Sequence, residues 1–224
     1  MIGHAALAIW FDVDPAGEDE VNRWYPRQHL PERLSVPGFL RGRRYEATDR
    51  GPRYFTLYET ADAGVLASQA YIERLNNPTD WSRRALPSFR RMMRGIYRML
   101  ATTGDAPERH VCTARITPAP GGEPALRDWL VGEASRSLSG IPGVTGFGLC
   151  ETETQAASAV TEERRIVGEH ALGATPFVAI VEVGDASREG ALREFWDSRM
   201  GSLGAGVEAD FYRLLYGLAW ISPR

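Results

Sequence analysis

His29 is followed within one helical turn by Glu32 and Arg33. An imidazole can act as general base or acid near neutral pH without special tuning, and either neighbour could orient it or touch a substrate. The alternative is a ring packed at a helix kink and bonded to a backbone carbonyl. Tyr45 and Tyr58 carry hydroxyls that could stabilise a developing oxyanion, and Tyr54 could meet a phenolic substrate. Tyrosine also simply suits strands. Arg43 could hold a substrate carboxylate or carbonyl, and Arg115 could do so from further along the chain. A structural ion pair of either with Glu46 or Glu151 is the alternative. Trp10 and Thr56 complete the candidate binding set, although Trp10 and Trp24 also suit packing. Trp81 and Trp196 read as core. His4, His110 and His170 have no ligand-like spacing. Cys112 and Cys150 are the only cysteines and lack CxxC or CxxH neighbours, so no metal site is expected.

The case for His29 rests on a comparison inside the chain. Trp24, Pro37-Gly38 and Glu46 recur as Trp129, Pro142-Gly143 and Glu151, each 105 residues on. Pro15 and Gly17 recur as Pro120 and Gly122, and Ile96-Tyr97-Arg98-Met99-Leu100 resembles Phe211-Tyr212-Arg213-Leu214-Leu215. Such self-similarity reads as a tandem repeat. The position that matches His29 holds Ala134. A polar residue kept in one copy and lost in the other is a candidate for chemistry.

Composition bounds the partners. The chain has 224 residues and a net charge of −3, so no global basic field argues for nucleic acid. The arginines from Arg83-Arg84 through Arg90-Arg91 to Arg94 suit the solvated face of a helix. No stretch approaches the apolar length of a membrane span. Met1-Ile2-Gly3-His4 lacks a basic leader, which makes a cytoplasmic location the default. The expected partner is a hydrophobic small molecule, bound by a monomer or homodimer.

These residues need elements to position them. Residues 5–13 read as a strand, and Gly17-Glu18-Asp19-Glu20 opens a helix that Pro26 and Pro31 should divide into two pieces. Strands follow at 39–48 and 53–60, joined at Gly51-Pro52. Helical pieces cover 61–76 and 80–93, and a fourth strand covers 95–102. The order β-α-β-β-α-β is ferredoxin-like. After the linker Gly104-Asp105-Ala106-Pro107-Glu108 it repeats, with strands at 110–117, 144–152, 177–183 and 209–221 and helices at 123–138 and 186–200. The expected units are 1–104 and 109–224. The second contains an insertion at about 155–175, around Thr161-Glu162-Glu163-Arg164-Arg165, which reads as an extended hairpin arm or a lid.

Trp24, His29-Leu30-Pro31-Glu32, Pro37-Gly38-Phe39, Arg44-Tyr45 and Tyr58-Glu59 together resemble the dimeric α+β barrel superfamily, near its EthD-like branch. The resemblance implies an α+β fold in which two ferredoxin-like units close an antiparallel β-barrel within one chain, helices outside. It also implies a central cavity, with a histidine at the place of His29 bordering it. Members include lactone isomerases, polyketide cyclases, quinone-forming monooxygenases and haem proteins, so the resemblance selects no single reaction. Haem would need an axial histidine on the cavity wall, where neither His110 nor His170 is expected.

Alternation along the strands assigns faces. Leu7, Ile9 and Phe11 should pack under the helices, and Ala6, Ala8 and Trp10 should point into the barrel. Tyr54, Thr56, Tyr58, Arg43 and Tyr45 should join Trp10 inside. The first expectation for function is a cofactor-independent enzyme doing isomerase-, cyclase- or lyase-like proton transfer on a hydrophobic, oxygenated, aromatic or polyketide-like substrate. The second is a non-catalytic binding or accessory protein of an oxidative or biosynthetic pathway. The third is an oxidoreductase, either a cofactor-free monooxygenase or haem-dependent.

Overall fold

The computed structural model describes residues 1–153, 160–168, 171–172 and 175–219. His170 and the expected end of the last strand at Ile221 lie outside the described residues.

The first half runs β1 (Ala5–Val13), α1 (Glu18–Trp24), α2 (Leu30–Leu34), β2 (Phe39–Ala47), β3 (Tyr54–Thr60), α3 (Gln69–Asn76), α4 (Asp80–Ala85) and β4 (Phe89–Thr103). The second runs β5 (His110–Thr117), α5 (Glu123–Trp129), α6 (Ser135–Gly140), β6 (Val144–Thr152), α7 (Glu162–Val167), β7 (Ala171–Leu172), β8 (Phe177–Val183), α8 (Glu189–Leu203) and β9 (Gly206–Ala219). Each half forms a four-stranded antiparallel sheet, β4-β1-β3-β2 and β9-β5-β8-β6. Pairing of β2 with β9 and of β4 with β6 joins both pairs of edges and closes an eight-stranded barrel with the helices outside. Closure leaves neither half with a free sheet edge. The two-residue β7 lies parallel to β4 at Met92 and Met93.

Prolines do not divide the first helix as the sequence suggests. A π-helical turn, Tyr25–His29, joins α1 to α2, and the Leu30 amide donates to the Tyr25 carbonyl. The wider turn absorbs the donor that Pro26 lacks, and Pro31 falls in the first turn of α2, where a missing N–H is tolerated. An equivalent π-turn joins α5 to α6 at Leu130–Ala134, 105 positions later, with no proline in it.

The helix expected over 80–93 ends at Ala85, because Leu86-Pro87-Ser88 forms a tight turn and β4 starts at Phe89. Arg90 and Arg91 are therefore strand residues rather than one helix face. They pair with Asp14 (3.0 Å) and Asp12 near the end of the adjacent β1. The insertion contains a helix, α7, where a hairpin arm was one expectation. Thr161 caps it, accepting from the Arg164 amide, and Glu162 and Glu163 lie in the first turn.

Two cores lie between sheet and helices, one in each half, and a third fills the barrel. On β1 the assignment of faces holds: Leu7 and Phe11 belong to the helix-side core, while Ala6, Ala8 and Trp10 point into the barrel. On β3 it is reversed. Phe55 and Leu57 point into the barrel, and Tyr54 and Tyr58 face the helices. Register shows why, since Trp10 pairs with Phe55 and Ala8 with Leu57, and residues opposite each other on paired strands share a face.

Candidate functional site

The cavity lies outside the barrel. It occupies about 320 Å³ between the helix-facing side of β1, β3 and β4 and the layer formed by the π-turn, α2, α3 and α7. Leu7, Ile9, Leu66, Leu75, Phe89, Met92 and Val167 supply most of an apolar wall. Its polar members include His29, Tyr25, Tyr58, Arg33, Tyr71, Arg94 and Glu163. A mostly apolar cleft with a few convergent polar groups is the form of a small-molecule site.

His29 is only 6% exposed and sits at the end of the π-turn. Its ring centroid is 4.3 Å from that of Trp24 and 4.7 Å from that of Tyr25. Its Nδ1 is buried and has no hydrogen-bond partner among the described residues. The backbone-carbonyl bond considered as an alternative is therefore absent at this nitrogen. Burial pushes the imidazole pKa well below its ordinary 6.5, and the Arg33 and Arg44 guanidiniums push it the same way. His29 is neutral at neutral pH.

Beside it runs a short hydroxyl chain. Tyr58 donates to the Tyr25 hydroxyl (3.3 Å), and Tyr25 donates to Thr56 Oγ1 (3.1 Å). Burial raises the pKa of both phenols, so both stay protonated. The Arg44 guanidinium lies over the rings of Tyr25 and Tyr54, 4.4 and 4.2 Å from their centroids, and donates to Tyr216 Oη at 3.0 Å. One turn on from His29, the buried Arg33 pairs with Glu163 of α7. Burial opposes its charge, but the neighbouring carboxylate holds its pKa above the ordinary value. Arg94 donates to the Tyr71 hydroxyl (3.3 Å).

Of the residues singled out from sequence, His29, Tyr58 and Arg33 line this cavity. Thr56 stands one hydrogen bond behind it. Tyr54 faces the helices but is tied to Glu18 and Asn22 at the far end of α1. Glu32 accepts from Gln28 (2.8 Å) and does not line the cavity. The barrel-facing candidates are separated from His29 by the sheet. Tyr45 points into the barrel, where its ring stacks with Phe55 at 5.6 Å. Trp10 stacks on Phe55 at 5.0 Å and donates to Thr113. Arg43 pairs with Glu182 and Glu59, and Arg115 with Asp210 (2.7 Å) and Glu208 (2.8 Å). Both arginines are thus structural ion pairs, though with other partners than Glu46 or Glu151. These aromatic rings and ion pairs pack on the barrel side of the sheet, apart from the cavity that His29 lines. Sequence reading missed Tyr25, and Glu163, which reaches the cavity only through the placement of α7.

The arrangement is two sheet-and-helix layers closed around a packed barrel, with the cavity under the helices of the first. The fold is α+β, a closed eight-stranded antiparallel barrel with the helices outside, and solved structures share it. An anthrone oxidase-like protein is similar over 96% of this chain and 92% of its own, with a TM-score of 0.64 and 11% identity. A proposed monooxygenase from Lactobacillus acidophilus gives 0.58 and 8%, covering 96% of each chain. A haem-binding protein from Thermus thermophilus gives 0.52 and 11%, covering 96% of this chain and 92% of its own. At these identities the likeness carries the fold and not a reaction. No protein-family model matches the sequence, and no curated sequence matches it. No helix among the described residues is long and apolar enough to cross a membrane.

Proposed function

We propose that the cavity binds a hydrophobic, oxygenated small molecule, aromatic or polyketide-like, and that His29 moves a proton on it. The carrying observation is a neutral, buried imidazole on the wall of a mostly apolar cavity, its Nδ1 without a partner among the described residues. Such a ring accepts a proton from an acidified C–H or O–H of the ligand, and the electron pair moves onto the adjoining carbonyl oxygen. Tyr58 can turn its long hydrogen bond from Tyr25 toward that oxygen and stabilise the enolate. Return of the proton at another carbon completes an isomerisation; attack of the enolate carbon on a second carbonyl of the ligand, with the proton passed to the new alkoxide, completes a cyclisation, and expulsion of a β-oxygen group that leaves with the proton completes an elimination. The matching π-turns support reading the halves as a tandem repeat, with His29 kept in one copy and Ala134 in the other.

Haem does not fit the same residues. His29 is wedged against Trp24 and Tyr25, and 320 Å³ lies at the small end of the range for drug-sized ligands. The test is deuterium exchange into hydroxynaphthoquinones and cyclic 1,3-diketones, followed by NMR with wild type and His29→Ala. Wild type should catalyse exchange and the variant should lose about 100-fold or more, the usual contribution of a positioned base. Equal exchange by both would remove His29 from the chemistry. Ligand binding without exchange would favour the binding-protein reading.

A further inference from the structure

Arg33 uses half of its fork. Its Nη2 is bonded to Glu163, while Nη1 is buried with no partner among the described residues. The side chain is 3% exposed, so this nitrogen is not compensated by bulk water. A guanidinium presents two parallel donors to a carboxylate, and the bidentate pair is the stronger arrangement. A buried donor left unmade is expensive. Glu163 is thus an imperfect partner, meeting one donor from a short helix.

The surroundings favour a second anion. Among the described residues the cavity wall holds Arg94 as a second guanidinium, bonded to the Tyr71 phenol rather than to a carboxylate. Arg44 adds a further buried cation behind Tyr25, with Nε and Nη2 unpartnered among the described residues and its Nη1 bonded to a phenol rather than a carboxylate. Glu163 is also replaceable. It rides on α7, whose further ties to the body include a half-exposed Arg83–Glu162 pair (3.1 Å) and the Glu162 amide on Asn76 Oδ1 (3.0 Å). Exposed pairs of that kind hold little.

We propose that the ligand of this cavity is an organic acid whose carboxylate displaces Glu163 and takes both donors of the Arg33 fork, its apolar body lying against Leu7, Ile9 and Phe89. Glu163 is an internal place-holder, and α7 moves outward when the acid binds. This rests on the reading of the cavity as a ligand site. It specifies the ligand class and assigns Arg33 to recognition and Glu163 to competition.

The test uses 2-naphthoate and its uncharged isostere 2-naphthamide, titrated calorimetrically into the full chain and into Arg33→Gln and Glu163→Gln. Wild type should prefer the acid by about tenfold or more, the worth of a charge-assisted pair. Arg33→Gln should erase that preference while keeping amide binding. Glu163→Gln should tighten the acid several-fold and leave the amide unchanged, since only a competitor is removed. A residue that merely supported the wall would give the opposite sign. Equal binding of acid and amide by wild type, or weaker acid binding by Glu163→Gln, would overturn the proposal while leaving the cavity a ligand site. Binding of neither compound to any form would overturn both.

Discussion

His29 joins local chemistry to stability through its environment. In the unfolded chain its pKa is ordinary, near 6.5, and in the folded protein burial and two guanidiniums hold it well below that. Above pH 6.5 both states carry a neutral ring and the shift contributes nothing. As pH falls through 6.5 the unfolded chain takes up a proton that folded His29 refuses, so stability is lost toward acid, by at most about 1.4 kcal/mol per pH unit. His29→Phe keeps an aromatic ring in the Trp24–Tyr25 niche and removes the titration. Urea midpoints of both proteins at pH 7.5 and 5.0 isolate the effect, because all other groups titrate alike. Wild type should lose about 1–2 kcal/mol relative to the variant over that interval. A difference independent of pH would mean that the folded imidazole titrates normally. At this scale the contrast read between His29 and Ala134 falls on a residue that lines the cavity. The sequence was illegible for Tyr45, Arg43 and Arg115, which read as ligand contacts: the Tyr45 ring packs inside the barrel and both guanidiniums pair with carboxylates there.

At the scale of elements, the cavity depends on how closely α2 approaches β2. Gly42 lies under the helix, and a Cβ there would come within 2.5 Å of Leu30 Cδ1, 2.9 Å of Leu34 Cδ2 and 3.0 Å of Tyr58 Cδ1. The absent side chain lets α2 sit low enough to present Arg33 beside the Tyr58 hydroxyl. Gly42→Val should therefore lift α2, lowering stability by about 1–3 kcal/mol, as overpacking a well-filled layer does. Stabilisation by any cavity ligand should fall with it. Denaturation with and without 2-naphthoate reads both effects. Loss of stability with intact ligand response would show that α2 and the site are independent. Strand and helix positions were largely readable, with β1, β5, β6 and β8 agreeing from end to end. The faces of β3 were not, because all its residues are buried and alternation then has no polar side to reveal. Only its pairing with β1 decides the matter. The helix expected through Met93 failed for a related reason. Arginine spacing mimicked a solvated helix face, while Pro87 ended the helix and neighbouring aspartates drew Arg90 and Arg91 into the sheet.

At the scale of the molecule, the barrel interior ties the halves together and the cavity stands apart from it. Arg43 of β2 reaches across the barrel to Glu182 of β8, and Glu59 accepts from both Arg43 (3.4 Å) and Arg41 (2.5 Å). Glu182 also accepts from the Glu108 amide in the linker at 3.0 Å. These groups are nearly water-free, so removing one partner leaves a buried charge short of its counter-ion. Glu182→Leu should destabilise the whole chain by about 3–5 kcal/mol, and unfolding should remain one transition because two strand pairings, β2–β9 and β4–β6, bind the halves as well. Adding Arg43→Leu to that variant should restore much of the loss, since an apolar pair of matched size replaces the ions without stranding either. Affinity of the folded variants for 2-naphthoate should stay at the wild-type value, because the sheet separates Glu182 from Arg33 and His29. Chemical denaturation gives the first two results and calorimetry the third. A large change in affinity with little change in stability would place ligand recognition inside the barrel, and return Arg43 and Tyr45 to the site from which the packing of Trp10, Phe55 and Tyr212 now separates them.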